Sequence, residues 1–351
     1  MSYMDLNVSQ KRQLYNSLNK RHISGEVHVP GRVLILAGGG GHTGFAYALA
    51  QVLHKNFSLS FLVPKGDYLS ERRLRKFGEV RFLIKPRDPK TPFQNFTIRL
   101  TKAFIESIRQ TFHGFDFVIS TGSNFCIPPA IIAWTKGVPL INIESAIRFI
   151  KPSKTAQILQ PFSTITALQW KEQTRMLKGV VVGPIFFKPE IEPWNGDYIL
   201  VTGGTYGHKP LFDELVKSNL HNIVLQTGKI DPTPYIKEHP EWKVITITER
   251  FQELLAGAEL VITHNGSTIL EAVAYGKPTL LVPNPEWTRT AGVKDAEYFA
   301  RKVNAVLVSD IKLENLLDAI DEARKRRVPK LPNGAENLAN EIMKLTKKGS
   351  D

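Results

Sequence analysis

The chain has 351 residues, beyond the length at which one hydrophobic core usually stops growing, and its 42% apolar and 23% charged residues exclude a disordered chain and favour two folded domains. Its 46 Lys and Arg against 33 Asp and Glu leave a formal charge of +13, which points to an anionic partner: a phosphorylated ligand, an anionic lipid surface or a nucleic acid. Cys126 is the only cysteine, which excludes a disulfide framework and a cysteine-built metal site, and no stretch approaches the ~20 apolar residues that span a bilayer.

Residues 1–30 read as a polar, basic extension without the apolar core of a signal peptide. The unbroken aliphatic run Arg32 to Ala37 reads as a buried strand stopped by four glycines, Thr43 to His54 as a helix, and Ser58 to Val63 as a second strand. This βαβ opening starts a parallel sheet. Thr97 to Phe112 has helical spacing, Phe115 to Ser120 is a strand, Pro129 to Lys136 a helix and Pro139 to Glu144 a strand; weaker strand patterns follow at 163–167 and 179–182.

Residues 183–197 are rich in Pro and Gly and mark a linker. A second series begins at Tyr198 to Val201, again ending in glycines, and continues with strand patterns at 222–226, 243–246, 259–263, 279–282 and 305–308; Glu336 to Lys347 reads as a terminal helix. The expected organisation is an extension (1–30), a first α/β domain (31–188), a second (198–335) and a helical tail (336–351). Ligands should bind where the carboxyl ends of the two sets of strands face each other.

Gly38-Gly-Gly-Gly-His42-Thr-Gly44 follows the first strand, where glycines let the backbone approach a ligand and helix amides face an anion. Gly39, Gly41 and Gly44 satisfy the dinucleotide pattern, but the second strand ends Val63-Pro64-Lys65 without the acidic residue an NAD site wants on the ribose, which disfavours an oxidoreductase. His42 is placed to donate to a phosphate or to take a proton. Val201-Thr-Gly-Gly-Thr-Tyr-Gly207 repeats the glycine turn, and Thr263-His-Asn-Gly-Ser-Thr268 leads into a helix pattern whose Glu271 could accept from ribose hydroxyls.

The stretches Thr263 to Pro283 and Val201 to Gly207 resemble the donor-site motifs of an inverting UDP-N-acetylglucosaminyltransferase family. That family includes the bacterial transferase that completes lipid II and the catalytic subunit of the eukaryotic enzyme that adds the second GlcNAc to dolichyl diphosphate. Gly38 to His42, Ser120-Thr-Gly-Ser123 with Pro128, Asn142-Ile-Glu144-Ser145-x-x-Arg148 and Gln169-Trp170 resemble that enzyme's membrane-recruiting subunit, in the order found in fused archaeal N-glycosylation relatives. The resemblance runs from about Arg32 to Lys302.

It implies a GT-B fold, two Rossmann-like domains about a cleft, with a UDP-sugar as donor substrate and neither cofactor nor essential metal in the site. Gly203, Gly204, Thr205 and Gly207, with His264, Asn265, Gly266, Ser267, Thr268 and Glu271, would bind the donor. Gly39, Gly40, Gly41, Thr43, Ser123 and Arg148 would hold the acceptor diphosphate. The product would be a β1-4 linked disaccharide on a polyprenyl or dolichyl diphosphate, as in lipid-linked oligosaccharide synthesis for N-glycosylation. The family's sugar-holding glutamine is missing after Pro283, and Asp295 or Lys294 is the expected substitute.

Inverting transfer needs a base for the acceptor hydroxyl. Glu144, at the end of a buried strand, is the first choice, with His42 on the acceptor diphosphate; the swapped roles stay open. Phe93, Phe96, Arg99, Lys102 and Phe104 form a basic, aromatic helix suited to an anionic membrane, which predicts peripheral attachment to the cytoplasmic face. A second copy or a membrane protein as partner is left open. No nucleic-acid motif is present. A UDP-GlcNAc 2-epimerase of the same fold class, or a non-catalytic nucleotide-sugar-binding protein, is the competing reading.

Overall fold

A computed structural model of the protein describes residues 31–87, 93–111, 114–286 and 291–348. The expected extension 1–30 lies outside them. The first domain runs β1 (Gly31–Leu36), α1 (Gly41–Leu53), β2 (Phe57–Pro64), α2 (Tyr68–Arg75), β3 (Gly78–Leu83), α3 (Phe93–Gln110), β4 (Phe117–Ser120), α4 (Ile127–Thr135), β5 (Leu140–Ile143), α5 (Lys154–Leu159), β6 (Ile165–Leu168) and β7 (Val180–Val181). Its seven strands are all parallel, in the order β3-β2-β1-β4-β5-β6-β7.

The second domain runs β8 (Tyr198–Thr202), α6 (Lys209–Leu215), β9 (Ile223–Gln226), α7 (Thr233–Glu238), β10 (Lys243–Ile245), α8 (Phe251–Gly257), β11 (Ala258–Thr263), α9 (Thr268–Ala274), β12 (Thr279–Leu281), α10 (Val293–Val303), β13 (Val306–Leu307) and α11 (Leu313–Arg324). Its sheet is again parallel, in the order β10-β9-β8-β11-β12-β13. The expected α/β class with two doubly wound, Rossmann-like sheets is what the chain adopts.

Strands covered on both faces need continuous apolar runs. In β1, Val33 and Ile35 enter one core while Leu34 and Leu36 enter the other. The larger core does not stop at the domain boundary. It joins Phe45, Phe149, Trp170 and Phe187 of the first half to Ile269, Tyr275 and Phe299 of the second. The last helix, α12 (Gly334–Lys348), crosses back: Leu338 and Ile342 enter that same core, and Asn337 Nδ2 donates to Val182 O at 2.7 Å.

In each sheet the strand order reverses beside the first strand, between β1 and β4 and between β8 and β11. Loops leaving such a pair part to opposite faces and open a crevice. The loops are 37–40 and 121–126 in one domain and 203–208 and 264–267 in the other. The three stretches read from the sequence at 38–44, 201–207 and 263–268 therefore border the two crevices, as does Ser120 to Ser123, quoted above for the family resemblance.

Candidate active site between the two sheets

The crevices meet. A Cβ on Gly41, at the start of α1, would lie 2.7 Å from Ser267 Oγ beside the start of α9, and one on Gly44 would lie 3.0 Å from Glu271 Oε1. Two helix N-termini thus face each other across the domain boundary, each with its positive dipole end turned inward. Glycine at position 41 permits this approach with Ser267 left in place, whereas a larger residue would have to displace its hydroxyl.

On the first domain's side, His42 Nδ1 lies 2.6 Å from Thr121 O. A carbonyl can only accept, so Nδ1 carries the proton and Nε2 keeps a lone pair. Gly122 (φ 99°) makes room for the ring, since a Cβ there would be 2.9 Å from His42 Cε1. Burial pushes the imidazole pKa below its ordinary 6.5, with Lys85 adding to the effect and the Thr121 carbonyl opposing it. His42 is therefore neutral at physiological pH. Ser123 is in the left-handed region (φ 72°), and its Oγ accepts from Phe125 N at 3.2 Å. Thr43 departs from expectation: its hydroxyl is buried against Ser70 Oγ at 2.6 Å, so it fastens α1 to α2 rather than facing a ligand.

Glu144 also departs. Its side chain is fully buried, with Oε1 accepting from Ser145 N at 2.5 Å and Oε2 from Ser153 N at 2.8 Å. Burial pushes its pKa up, against those amides and the charge of Arg148. Both oxygens accept from the backbone of the loop that follows and the side chain is out of contact with solvent, so in this arrangement the carboxylate anchors that loop. Arg148 is half-exposed on that loop. Replacing Glu144 with Gln puts an NH2 against one of the two amides, and we expect a loss of about 1–3 kcal/mol of stability, read from the denaturant midpoint.

Asp295 is not available for a sugar either. Its Oδ1 accepts from Phe149 N (2.7 Å) and Ile150 N (2.9 Å) of the first domain, and its Oδ2 from Gly292 N (3.1 Å). Lys294, the other expected substitute, is exposed.

On the second domain's side, Gly204 (φ 66°) and Gly207 (φ 78°) turn the chain after β8, and Gly204 N donates to Thr202 Oγ1 at 3.0 Å. His264 is wedged between the two loops: a Cβ on Gly204 would lie 3.3 Å from its Cε1, and one on Gly266 2.7 Å from its Nε2. Burial, with His208 adding to it, pushes the His264 pKa down to about 4, so this ring acts as a neutral group. The buried Asn265 Oδ1 and Nδ2 and Thr263 Oγ1 have no hydrogen-bond partner among the described residues. Unmatched polar atoms in such a place cost about 1–3 kcal/mol each, which is characteristic of a site built for a polar ligand. Thr205 and Ser267 are half-exposed, and Thr268 is buried at the head of α9. Glu271 is 8% exposed; burial pushes its pKa up and the charge of Arg73 opposes the shift.

One feature of this side escaped the sequence reading. A pocket of about 580 Å³ opens beyond β10, lined by Val244, Ile245, Thr246, Ile247, Arg250 and Leu254 among others. It adjoins the glycine turn through Gly228, whose N donates to Thr246 O at 3.1 Å and whose Cβ would lie 2.4 Å from Gly204 O. Its walls are backbone and mixed side chains from three elements, so no motif marks it.

Helix α3 carries the expected membrane residues, but not as expected. It buries a seam of small side chains, Ala103, Ser107 and then Thr111, and packs beside α4. Phe96 and Phe104 are half-buried, as is Arg99, and the side chain of Phe93 lies outside the described residues. Exposed instead are Ile98 (55%), Ile105 (56%) and Ile108 (49%), sharing their face with Lys102 and Arg109, with Trp134 of α4 (45%) also exposed. Among the described residues no helix is long and apolar enough to cross a membrane.

Residues 198–348 match the Glycosyltransferase family 28 C-terminal domain. The chain is similar to the UDP-N-acetylglucosamine--N-acetylmuramyl-(pentapeptide) pyrophosphoryl-undecaprenol N-acetylglucosamine transferase of Synechococcus elongatus, 28% identical over 252 residues that cover 66% of this chain and 70% of that one. It is 26% identical to the protein of the same name from Trichodesmium erythraeum, over 88% of this chain and 89% of that one. Among solved structures, Acinetobacter baumannii MurG superposes with a TM-score of 0.60 at 20% identity, over 90% of this chain and 100% of that one. Methanocaldococcus jannaschii UDP-GlcNAc 2-epimerase, in complex with UDP-GlcNAc and UDP, does so with 0.60 at 14% identity, over 90% and 99%. The architecture is GT-B.

Proposed function

We propose that this chain, a hexosyltransferase whose C-terminal half belongs to glycosyltransferase family 28, moves N-acetylglucosamine from UDP-GlcNAc to a sugar carried on a lipid diphosphate. The observation that carries the reading is the meeting of two glycine-turn crevices at Gly41 and Ser267, one suited to each diphosphate. The turn that carries Gly203, Gly204, Thr205 and Gly207 and the stretch Gly266, Ser267 and Thr268 surround the donor diphosphate, with His264 and Asn265 between them. Glu271 accepts from the ribose hydroxyls, and the base enters the pocket beyond β10. Gly39, Gly40, Gly41, Ser123 and Arg148 face the acceptor diphosphate.

In the reaction the acceptor hydroxyl gives its proton to His42 Nε2 as its oxygen attacks the sugar C1. The bond from C1 to the diphosphate oxygen breaks, and UDP leaves with the bonding pair. Attack opposite the leaving group turns an α-linked donor into a β-linked product. The amides and the α9 dipole stabilise the charge that develops on the departing diphosphate.

The acceptor we propose is polyprenyl- or dolichyl-diphosphate-linked GlcNAc, giving the β1-4 disaccharide of lipid-linked oligosaccharide synthesis for N-glycosylation. The Asn142 to Arg148 motif supports this choice, while the similar bacterial proteins are named for a muramyl-pentapeptide carrier. Offering the two acceptors side by side tests it: we expect transfer to the GlcNAc lipid, and transfer to the muramyl-pentapeptide lipid alone would overturn the choice.

The acceptor is a lipid, and the exposed isoleucines on α3 with Lys102 and Arg109 suit the surface of an anionic membrane. Replacing Ile98, Ile105 and Trp134 with Ser is expected to abolish co-sedimentation with phosphatidylglycerol vesicles while leaving UDP-GlcNAc binding intact. Undiminished co-sedimentation would place the contact elsewhere.

A further inference from the structure

Residues 145–153, which join β5 to α5, are held from both domains at once. From the first domain, Glu144 accepts from the loop's two end amides, Ser145 and Ser153. Gln173 Nε2 donates to Ser145 O (2.8 Å) and Arg148 O (2.9 Å), and Trp170 Nε1 to Ala146 O (2.7 Å). From the second domain, Asp295 takes the central amides of Phe149 and Ile150. The Phe149 ring lies against Trp170 on its own domain (6.0 Å between centroids) and against Tyr298 on the other (5.6 Å, 14° between planes).

Asp295 stands in the first turn of α10 and is 5% exposed. A buried carboxylate is tolerated when charge-assisted hydrogen bonds surround it, and two of the three amides bonded to it come from the other domain. Parting the domains strips it of both. Helix α10 packs against α9, which carries Thr268 and Glu271. One continuous chain of contacts therefore runs from the donor crevice, through α9, α10 and Asp295, to the loop that bears Arg148.

We infer that Asp295 is a positioning residue that couples the donor domain to the acceptor side, setting Arg148 for the acceptor diphosphate only while the two domains are apposed. This rests on the transferase reading above and adds to it a residue that touches neither substrate. A residue serving only as interdomain glue would change stability and nothing else.

The test uses the full chain with Asp295→Ala, and Asp295→Asn as the gentler change should the first fail to fold. Donor binding is read by calorimetry with UDP-GlcNAc, turnover with the lipid acceptor varied, and amide exchange over 145–153 with and without UDP-GlcNAc. Expected are donor affinity within about twofold of wild type, kcat down about 10- to 100-fold, and a raised acceptor KM. Donor should also increase protection of 145–153 in wild type but not in the variant. Unchanged kcat and acceptor KM, or loop protection in wild type indifferent to donor, would overturn the inference. Should wild type bind UDP-GlcNAc yet transfer it to no acceptor, the transferase reading fails and the exchange arm alone still decides the coupling.

Discussion

Replacing His42 with Ala is expected to lower turnover by about 10²- to 10⁴-fold while UDP-GlcNAc affinity stays close to that of wild type. The Thr121 carbonyl fixes the proton on Nδ1, and the lone pair on Nε2 is the free basic site on the acceptor side of the crevice. Glu144, the other candidate, has spent both oxygens on backbone amides. Burial moves the His42 pKa downward from 6.5, so the neutral, competent form persists into mildly acidic solution. The acid limb of kcat/KM should then fall below pH 6.5 and vanish in the Ala variant. The sign for stability is the same: the unfolded chain takes the proton first as pH drops through 6.5, so His42 weakens the fold progressively from there down to its lowered native pKa. Turnover preserved in the Ala variant would return the base role to another group.

Removing the Glu271 carboxylate has the second large effect, and on a different quantity. Hydrogen bonds to a charged acceptor contribute about 1.5–3 kcal/mol each, so a carboxylate shared by two ribose hydroxyls predicts that Glu271→Ala weakens UDP-GlcNAc binding by about 10²-fold or more. Its kcat at saturating donor should change far less. The same substitution should leave the thermal midpoint unchanged or raise it. Burial pushes the Glu271 pKa up, so its ionised form opposes folding at any pH above the native pKa, and that penalty disappears with the carboxylate. A variant with weakened folding and unaltered UDP-GlcNAc affinity would identify Glu271 as structural.

Much of this molecule could be read from the chain because the relevant physics is local. Strands buried on both faces show as aliphatic runs, and β1, β2, β8 and β11 lie within one or two residues of where those runs place them. The glycine turns were legible for the same reason, since a strand followed by consecutive glycines has few other uses. β3 carries no such signal: Glu79 and Arg81 alternate with Val80 and Phe82, and an edge strand lacks the continuous apolar run of its neighbours.

What the chain hid were partnerships distant in sequence or made with backbone. Glu144 looked like a base because nothing in its neighbourhood shows that Ser145 and Ser153 would both turn their amides to it. Asp295 meets Phe149 and Ile150 across 146 and 145 residues of sequence, which no spacing rule reaches. On α3, large apolar residues at helical spacing suggested phenylalanines at a surface. The helix instead buries Ala103 and Ser107, where short side chains allow close approach to α4, and leaves its isoleucines outside.

Transfer of a sugar to a lipid diphosphate through the crevice between the sheets moves label from water into lipid. The most direct measurement incubates the purified protein with UDP-GlcNAc radiolabelled in the sugar and dolichyl-diphosphate-GlcNAc, then follows label into the organic phase. Label in a lipid-linked β1-4 disaccharide, lost in the His42→Ala variant, is the result predicted here. Label that stays in the aqueous phase as an epimerised UDP-sugar, with or without the lipid, would contradict it.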